Sequence, residues 1–260
     1  MTSTAAFSPL VRLGARSAAR RRLFCMPYAG GGVAPYRPWC RSLPDDIDVF
    51  AAQLPGRDGR LRDAPLPSIA AMVDMLLPAI IDASDLPYAI FGHSMGALVA
   101  YELVAALERT DARAPSHLFV SSRRPPDEPD TRPPLHDMPE AQFLVELQER
   151  YGAIPAAVLD EPELLELLLP VVRADIRAVE TYQPSSMLPH RVRCPVHVYG
   201  GEADRHPRPA QLPHWQRVSI GPVRVRVFDG DHFYLQTQRD ALTADIAAQW
   251  PAAMAPAERT

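Results

Sequence analysis

Apolar positions recur along this chain in two alternating rhythms. Short runs of four to six mostly apolar residues end in Gly, Pro or Asp, and longer stretches carry helical spacing. The runs Arg22 to Pro27, Ile47 to Ala52, Tyr88 to Phe91, His117 to Ser121, Pro195 to Gly200 and Val223 to Phe228 read as strands. Helices are expected from about Ser68, a plausible N-cap, to Ala83, from the end of the Tyr88 run to about Leu107, and over about Asp240 to Trp250. Strand–helix alternation predicts an α/β fold: a mostly parallel central sheet with helices on both faces. No internal repeat interrupts it.

The rhythm breaks at Arg123-Arg124-Pro125-Pro126 and resumes only at Cys194. Six prolines lie between Pro125 and Pro139. Helical runs follow near Glu140–Tyr151 and Glu161–Tyr182, the second interrupted by Pro170, where a kink is expected. Leu164, Leu165, Leu167, Leu168, Leu169, Val171 and Val172 make the second run too apolar to face water all round. Residues of about 125–190 are therefore read as a helical lid inserted into one domain spanning 22–250. Residues 1–22 hold five arginines and no acid. That composition is shared by transit peptides, but 1–21 are read as a short disordered arm, and 251–260 as a frayed tail.

Composition excludes more than it identifies. The 260 residues suffice for a sizeable core, and 47% hydrophobic with 22% charged residues is ordinary for a globular protein. A formal net charge of −4 gives no basis for nucleic-acid binding. No apolar run reaches the length of a membrane span. Cys25, Cys40 and Cys194 are odd in number and widely spaced, as expected of reduced thiols in a cytoplasmic protein. No pair of histidines has metal-ligand spacing, and neither phosphate-loop pattern is present, so no metal or cofactor is expected.

The chemistry centres on Gly92-His93-Ser94-Met95-Gly96, a G-x-S-x-G pattern between a strand and a helix. Such an elbow lifts a serine hydroxyl above the sheet and aims the helix's first N–H groups at a developing oxyanion. A serine needs a base oriented by an acid, each on a loop after a strand, in the order Ser, Asp/Glu, His. Ser94, Asp204 and His232 satisfy order and placement. Glu202 shares the loop of Asp204, Asp231 adjoins His232, and His206 is a weaker base by chain order. His93 is expected to pack beside the nucleophile, and His136, His190 and His214 fall in loop or Pro-rich segments. The loop Tyr28-Ala29-Gly30-Gly31-Gly32 suits close backbone approach to a ligand, and the hydrolase pattern makes the N–H groups of Ala29 and Met95 the oxyanion donors.

Together these residues resemble the stand-alone type II, or editing, thioesterases that accompany polyketide and nonribosomal peptide synthases. The resemblance rests on Met26–Gly32, Gln53-Leu-Pro-Gly-Arg57, Phe91–Ala97, Arg173-Ala-Asp175 leading to Glu180-Thr-Tyr182, and Gly230–Phe233. It implies an α/β-hydrolase fold and hydrolysis of acyl groups from the phosphopantetheine arm of a carrier protein, freeing a stalled synthase. Asp231 departs from the glycine usual there and would favour a charged His232. Since carrier proteins are generally acidic, Arg57, Arg60, Arg62, Arg123 and Arg124 are candidate docking charges. The enzyme is expected to be a monomer. A general esterase or lipase, an acyltransferase and a non-catalytic binding partner of the same fold stay open on the residues alone.

Overall fold

A computed structural model of the protein describes residues 8–152, 161–184 and 190–251. Seven strands form one sheet. They are β1 (Leu10–Arg12), β2 (Arg21–Met26), β3 (Ile47–Ala52), β4 (Tyr88–His93), β5 (His117–Ser121), β6 (Val196–Gly201) and β7 (Val223–Phe228). Their order is β1-β3-β2-β4-β5-β6-β7, with every pairing parallel except β1 with β3. Helices are α1 (Trp39–Ser42), α2 (Ile69–Asp82), α3 (Met95–Leu107), α4 (Glu140–Tyr151), α5 (Pro162–Glu180), α6 (Tyr234–Thr237) and α7 (Arg239–Gln249). Ser68 caps α2, its side chain accepting the Ala71 N–H.

Strand periodicity sorts adjacent residues to opposite faces. On β2, Phe24 and Met26 join a core with α2 and α3, while Leu23 and Cys25 join one with Trp39 of α1 and Leu242 and Ile246 of α7. Burial on both faces explains why β4 reads as a nearly continuous apolar run. At the sheet edge, β7 is mostly exposed and alternates valine with arginine, charges that discourage pairing with another chain. No helix among the described residues is long and apolar enough to cross a membrane.

The expected disordered arm needs correction from Ser8 onward. Leu10 pairs with Ala52 and is buried in the first core, extending the sheet by an antiparallel edge strand. Three of the arm's arginines find acids: Arg12 pairs with buried Asp48 at 2.6 Å, Arg16 with Asp45, and Arg21 with Asp46. These partners lie 25 residues or more along the chain, beyond any local pattern. Residues 1–7, and nearly all of the expected frayed tail, lie outside the described residues. The run Pro209–Val218 forms a 3-10 helix burying Leu212 and Trp215. Its two prolines hid it from periodicity.

In the insertion, α4 and α5 stand near the expected limits, with Pro170 inside α5. They share a small core of their own: Phe143 and Leu147 from α4 meet Leu169, Val172 and Ile176 from α5. The side chain of Glu180 accepts the N–H groups of Leu135 and His136 at 2.7 and 3.0 Å, folding the Pro-rich segment back onto the helix. The parts of the insertion at 153–160 and 185–189 lie outside the described residues.

Candidate functional site

Ser94 occupies the turn between β4 and α3 with φ 54° and ψ −114°, a conformation L-residues rarely hold. Its neighbours allow it. A Cβ on Gly92 would lie 2.0 Å from the Gly96 carbonyl oxygen, and one on Gly96 would lie 2.1 Å from the Met26 carbonyl oxygen. Hydrogen is the only substituent that fits at either place. The Ser94 N–H donates to Ser121 O at 2.8 Å, tying the turn to β5. Strain of about 1–3 kcal/mol persists only where surroundings over-determine it. From Tyr88 to Ala105, Ser94 alone is not buried.

Asp204 and His232 come together because the loops after β6 and β7 are in contact. A Cβ on Gly201 would sit 2.2 Å from Asp231 O, and the Ala203 N–H donates to Gly230 O at 2.9 Å. His232 Nδ1 then lies 3.0 Å from Asp204 Oδ2 and 3.2 Å from Oδ1, both residues being buried. A carboxylate facing Nδ1 holds the proton there and leaves Nε2 as the acceptor. The imidazole is enclosed by the rings of His93, Tyr151 and Phe233, each centred 5.2 Å away.

The rival residues fall elsewhere. Glu202 is exposed. The Asp231 carboxylate, also exposed, accepts the Phe233 N–H at 2.8 Å rather than a proton of the adjoining imidazole. His206 donates its N–H to Asp204 Oδ1. His93 is buried, its Nδ1 2.8 Å from Ser121 Oγ, which is 2.6 Å from the Tyr234 hydroxyl. Burial first, and then the proximity of His232, hold the His93 pKa well below that of an ordinary histidine, so its ring stays neutral.

Ala29 and Met95 line the same cavity as Ser94 and His232. Neither of their N–H groups donates to another described residue, whereas those of Gly30, Gly31 and Val33 on the same loop are engaged. Gly31 N–H closes on Tyr28 O at 2.9 Å, Val33 N–H reaches Asp58 Oδ2 at 3.0 Å, and Gly30 N–H reaches Asp175 Oδ2 at 2.8 Å. The cavity at the serine holds only about 30 Å³. Leu147 and Tyr151 of α4 and Val172, Ile176 and Val179 of α5 wall it, so the insertion covers the serine. Arg123, Tyr151, Ile176 and Val179 also line a neighbouring cleft of about 580 Å³.

Two of the five candidate docking arginines are relocated. Arg57 is buried, not on a solvated loop: it grips the fully buried Asp175 through two hydrogen bonds, of 2.6 and 2.9 Å. A carboxylate 118 residues away makes that burial possible. Arg123 walls the cavity, where burial pushes its pKa down, and its carbonyl oxygen accepts the Trp215 indole N–H. Arg60 pairs with Asp63, Arg124 pairs with Asp130, and Arg62 is exposed. Asp175 has no place among the candidate site residues read from the sequence. Its signals were its place in the Arg173-Ala-Asp175 stretch and an acid set among the apolar residues Val171, Val172, Ile176 and Ala178. Among the described residues, no group of three or more metal-ligating side chains converges.

Residues 21–250 match the family model of the thioesterase domain. Over 246 residues the chain is 34% identical to the gramicidin S biosynthesis protein GrsT of Aneurinibacillus migulanus, covering 95% of each. Among solved structures it is similar to the type II thioesterase BorB from the borrelidin biosynthetic cluster. There the TM-score is 0.83 and the identity 32%, over 94% of this chain and 98% of that one. It is also similar to YbtT, a type II thioesterase from the yersiniabactin NRPS/PKS pathway. That match has a TM-score of 0.82 and 30% identity over 95% and 100%.

Proposed function

The chain belongs to the thioesterase family of α/β-hydrolase fold, and from that premise we propose that it is the editing hydrolase of a polyketide or nonribosomal peptide synthase. Its substrate is an acyl thioester on the phosphopantetheine arm of a carrier protein, and its role is to clear stalled or aberrant acyl groups. The observation that carries the reading is the geometry around Ser94: a strained elbow serine sharing one cavity, walled by the inserted helices, with an imidazole coupled to Asp204 at 3.0 Å.

In this reading the Ser94 oxygen attacks the thioester carbonyl while His232 Nε2 takes its proton. Asp204 stabilises the resulting imidazolium, and the N–H groups of Ala29 and Met95 receive the oxyanion. The C–S bond breaks as His232 returns the proton to the leaving thiolate, giving an acyl-serine. Water, deprotonated by the same imidazole, hydrolyses that ester and restores the Ser94 hydroxyl. No cofactor takes part. Arg60, Arg62 and Arg124 remain the outer charges for an acidic carrier in the cytoplasm, and the enzyme acts as a monomer.

Acyl release from acyl-phosphopantetheine carrier protein, with wild type and Ser94→Ala compared, tests the proposal. Release by wild type and near-background release by the variant is expected. Turnover of p-nitrophenyl esters without carrier turnover would reassign the protein as a general esterase. A fluorophosphonate that fails to label Ser94 would favour a non-catalytic binding partner.

A further inference from the structure

One buried ion pair holds the glycine loop from both sides of Gly30. Asp175, on α5 of the insertion, accepts the Gly30 N–H at 2.8 Å and two hydrogen bonds from Arg57. Arg57 Nη1 donates in turn to Gly31 O at 3.0 Å, and its Nε to Pro55 O at 3.3 Å. The peptides on either side of Gly30 and Gly31 are thereby fixed, and the Gly31 N–H closes the turn on Tyr28. Ala29 lies inside that turn with its own N–H uncommitted. Gly30 has φ +74°, and a Cβ there would lie 2.6 Å from Val172 Cγ2, so α5 rests directly on the loop backbone.

We propose that Asp175 is a positioning residue that sets the Ala29 N–H for the oxyanion. The proposal rests on the reading of Ala29 and Met95 given above. Stability does not account for the pair, because apolar replacement of a buried ion pair is often neutral or stabilising. Asp175 supplies something an apolar side chain does not: an acceptor for an N–H whose left-handed turn offers no strand or helix partner. A donor displaced by about 1 Å costs about 10²-fold in rate. Because α5 belongs to the insertion, the oxyanion donor is in place only while α5 is seated.

The test pairs Asp175→Ala and Arg57→Met as single and double variants, with Ser94→Ala alongside. Each single variant strands a buried charge and lowers Tm; the double variant removes both charges and regains most of it. Activity is expected not to follow. In the double variant kcat for acyl release stays down by about 30-fold or more, with KM within about threefold of wild type. Affinity for an alkyl boronic acid that adds to Ser94 as a tetrahedral mimic falls by a similar factor. Recovery of kcat together with Tm would overturn the proposal. Should the double variant fail to fold, Asp175→Asn carries the test, since its Oδ1 can still accept the Gly30 N–H: kcat about tenfold above Asp175→Ala supports positioning, and equal values overturn it. No acyl release by wild type, or a Ser94→Ala variant as active as wild type, would instead sink the reading beneath it.

Discussion

Asp204 and His232 stand 28 residues apart in the chain, yet Oδ2 and Nδ1 meet at 3.0 Å where the loops after two adjacent parallel strands touch. Asp204→Asn would place an amide where the carboxylate fixes the tautomer. We expect kcat for acyl release to fall by about 10³–10⁴ with little change in KM, read by steady-state kinetics at neutral pH. Glu202→Gln, on the same loop but exposed, should stay within about twofold of wild type.

Gly96 packs against backbone that cannot yield. Its added Cβ would meet Met26 O at 2.1 Å and Pro27 O at 2.7 Å. Gly96→Ala is expected to cost roughly 3 kcal/mol or more, lowering Tm by about 6–12 °C. Gly152→Ala makes the control, because nothing lies within 4 Å of that site and only the left-handed backbone at φ +61° is penalised. Its cost should be about 1 kcal/mol. Thermal unfolding followed by circular dichroism distinguishes the two.

Acid should destabilise the fold partly through His197, whose ring is buried against Phe119 and His117. Burial, and then the neighbouring His117, lower its pKa to about 4. Below the ordinary histidine pKa of about 6.5 the unfolded chain takes up a proton that the folded one refuses, so stability falls as pH drops from about 6.5 towards 4. Between pH 7 and pH 5 that amounts to roughly 2 kcal/mol. His197→Phe keeps a ring in the stack, and urea midpoints measured at the two pH values should then differ less than in wild type.

Arg62 is the outer arginine of the Arg57–Arg62 loop that faces solvent most fully. If it meets an acidic carrier, Arg62→Glu raises KM for acyl-carrier protein by about 3–10-fold at low salt. The difference should shrink at high salt. Turnover of a short pantetheine thioester, which presents no carrier surface, should not change. Parallel kinetics on the two substrates decide the matter.

How far the chain could be read follows the range of the forces involved. The strands Ile47–Ala52, His117–Ser121 and Val223–Phe228 stand where their short runs put them: burial on both faces of the sheet gives unbroken apolar runs in the first two, and the Val/Arg alternation of the third marks an exposed edge. The β1 strand was missed, since three residues among arginines carry little pattern and their pairing is with β3, some forty residues on. The 3-10 helix Pro209–Val218 was missed because its prolines mask helical spacing.

The amino-acid sequence by itself determined the alternation of strands and helices, the elbow around Ser94, and the chain order that brings Asp204 and His232 to neighbouring strand ends. Each depends on local backbone geometry: glycines where no Cβ fits, and loops that must follow parallel strands on one edge. Tertiary structure alone decided what the charged residues do. Arg57 reads as an exposed loop charge until Asp175 meets it from α5. Arg123 reads as a candidate docking charge on a loop until the insertion closes a cavity around it. A charge is buried or solvated according to what lies opposite it in space, and for these residues that partner comes from distant chain.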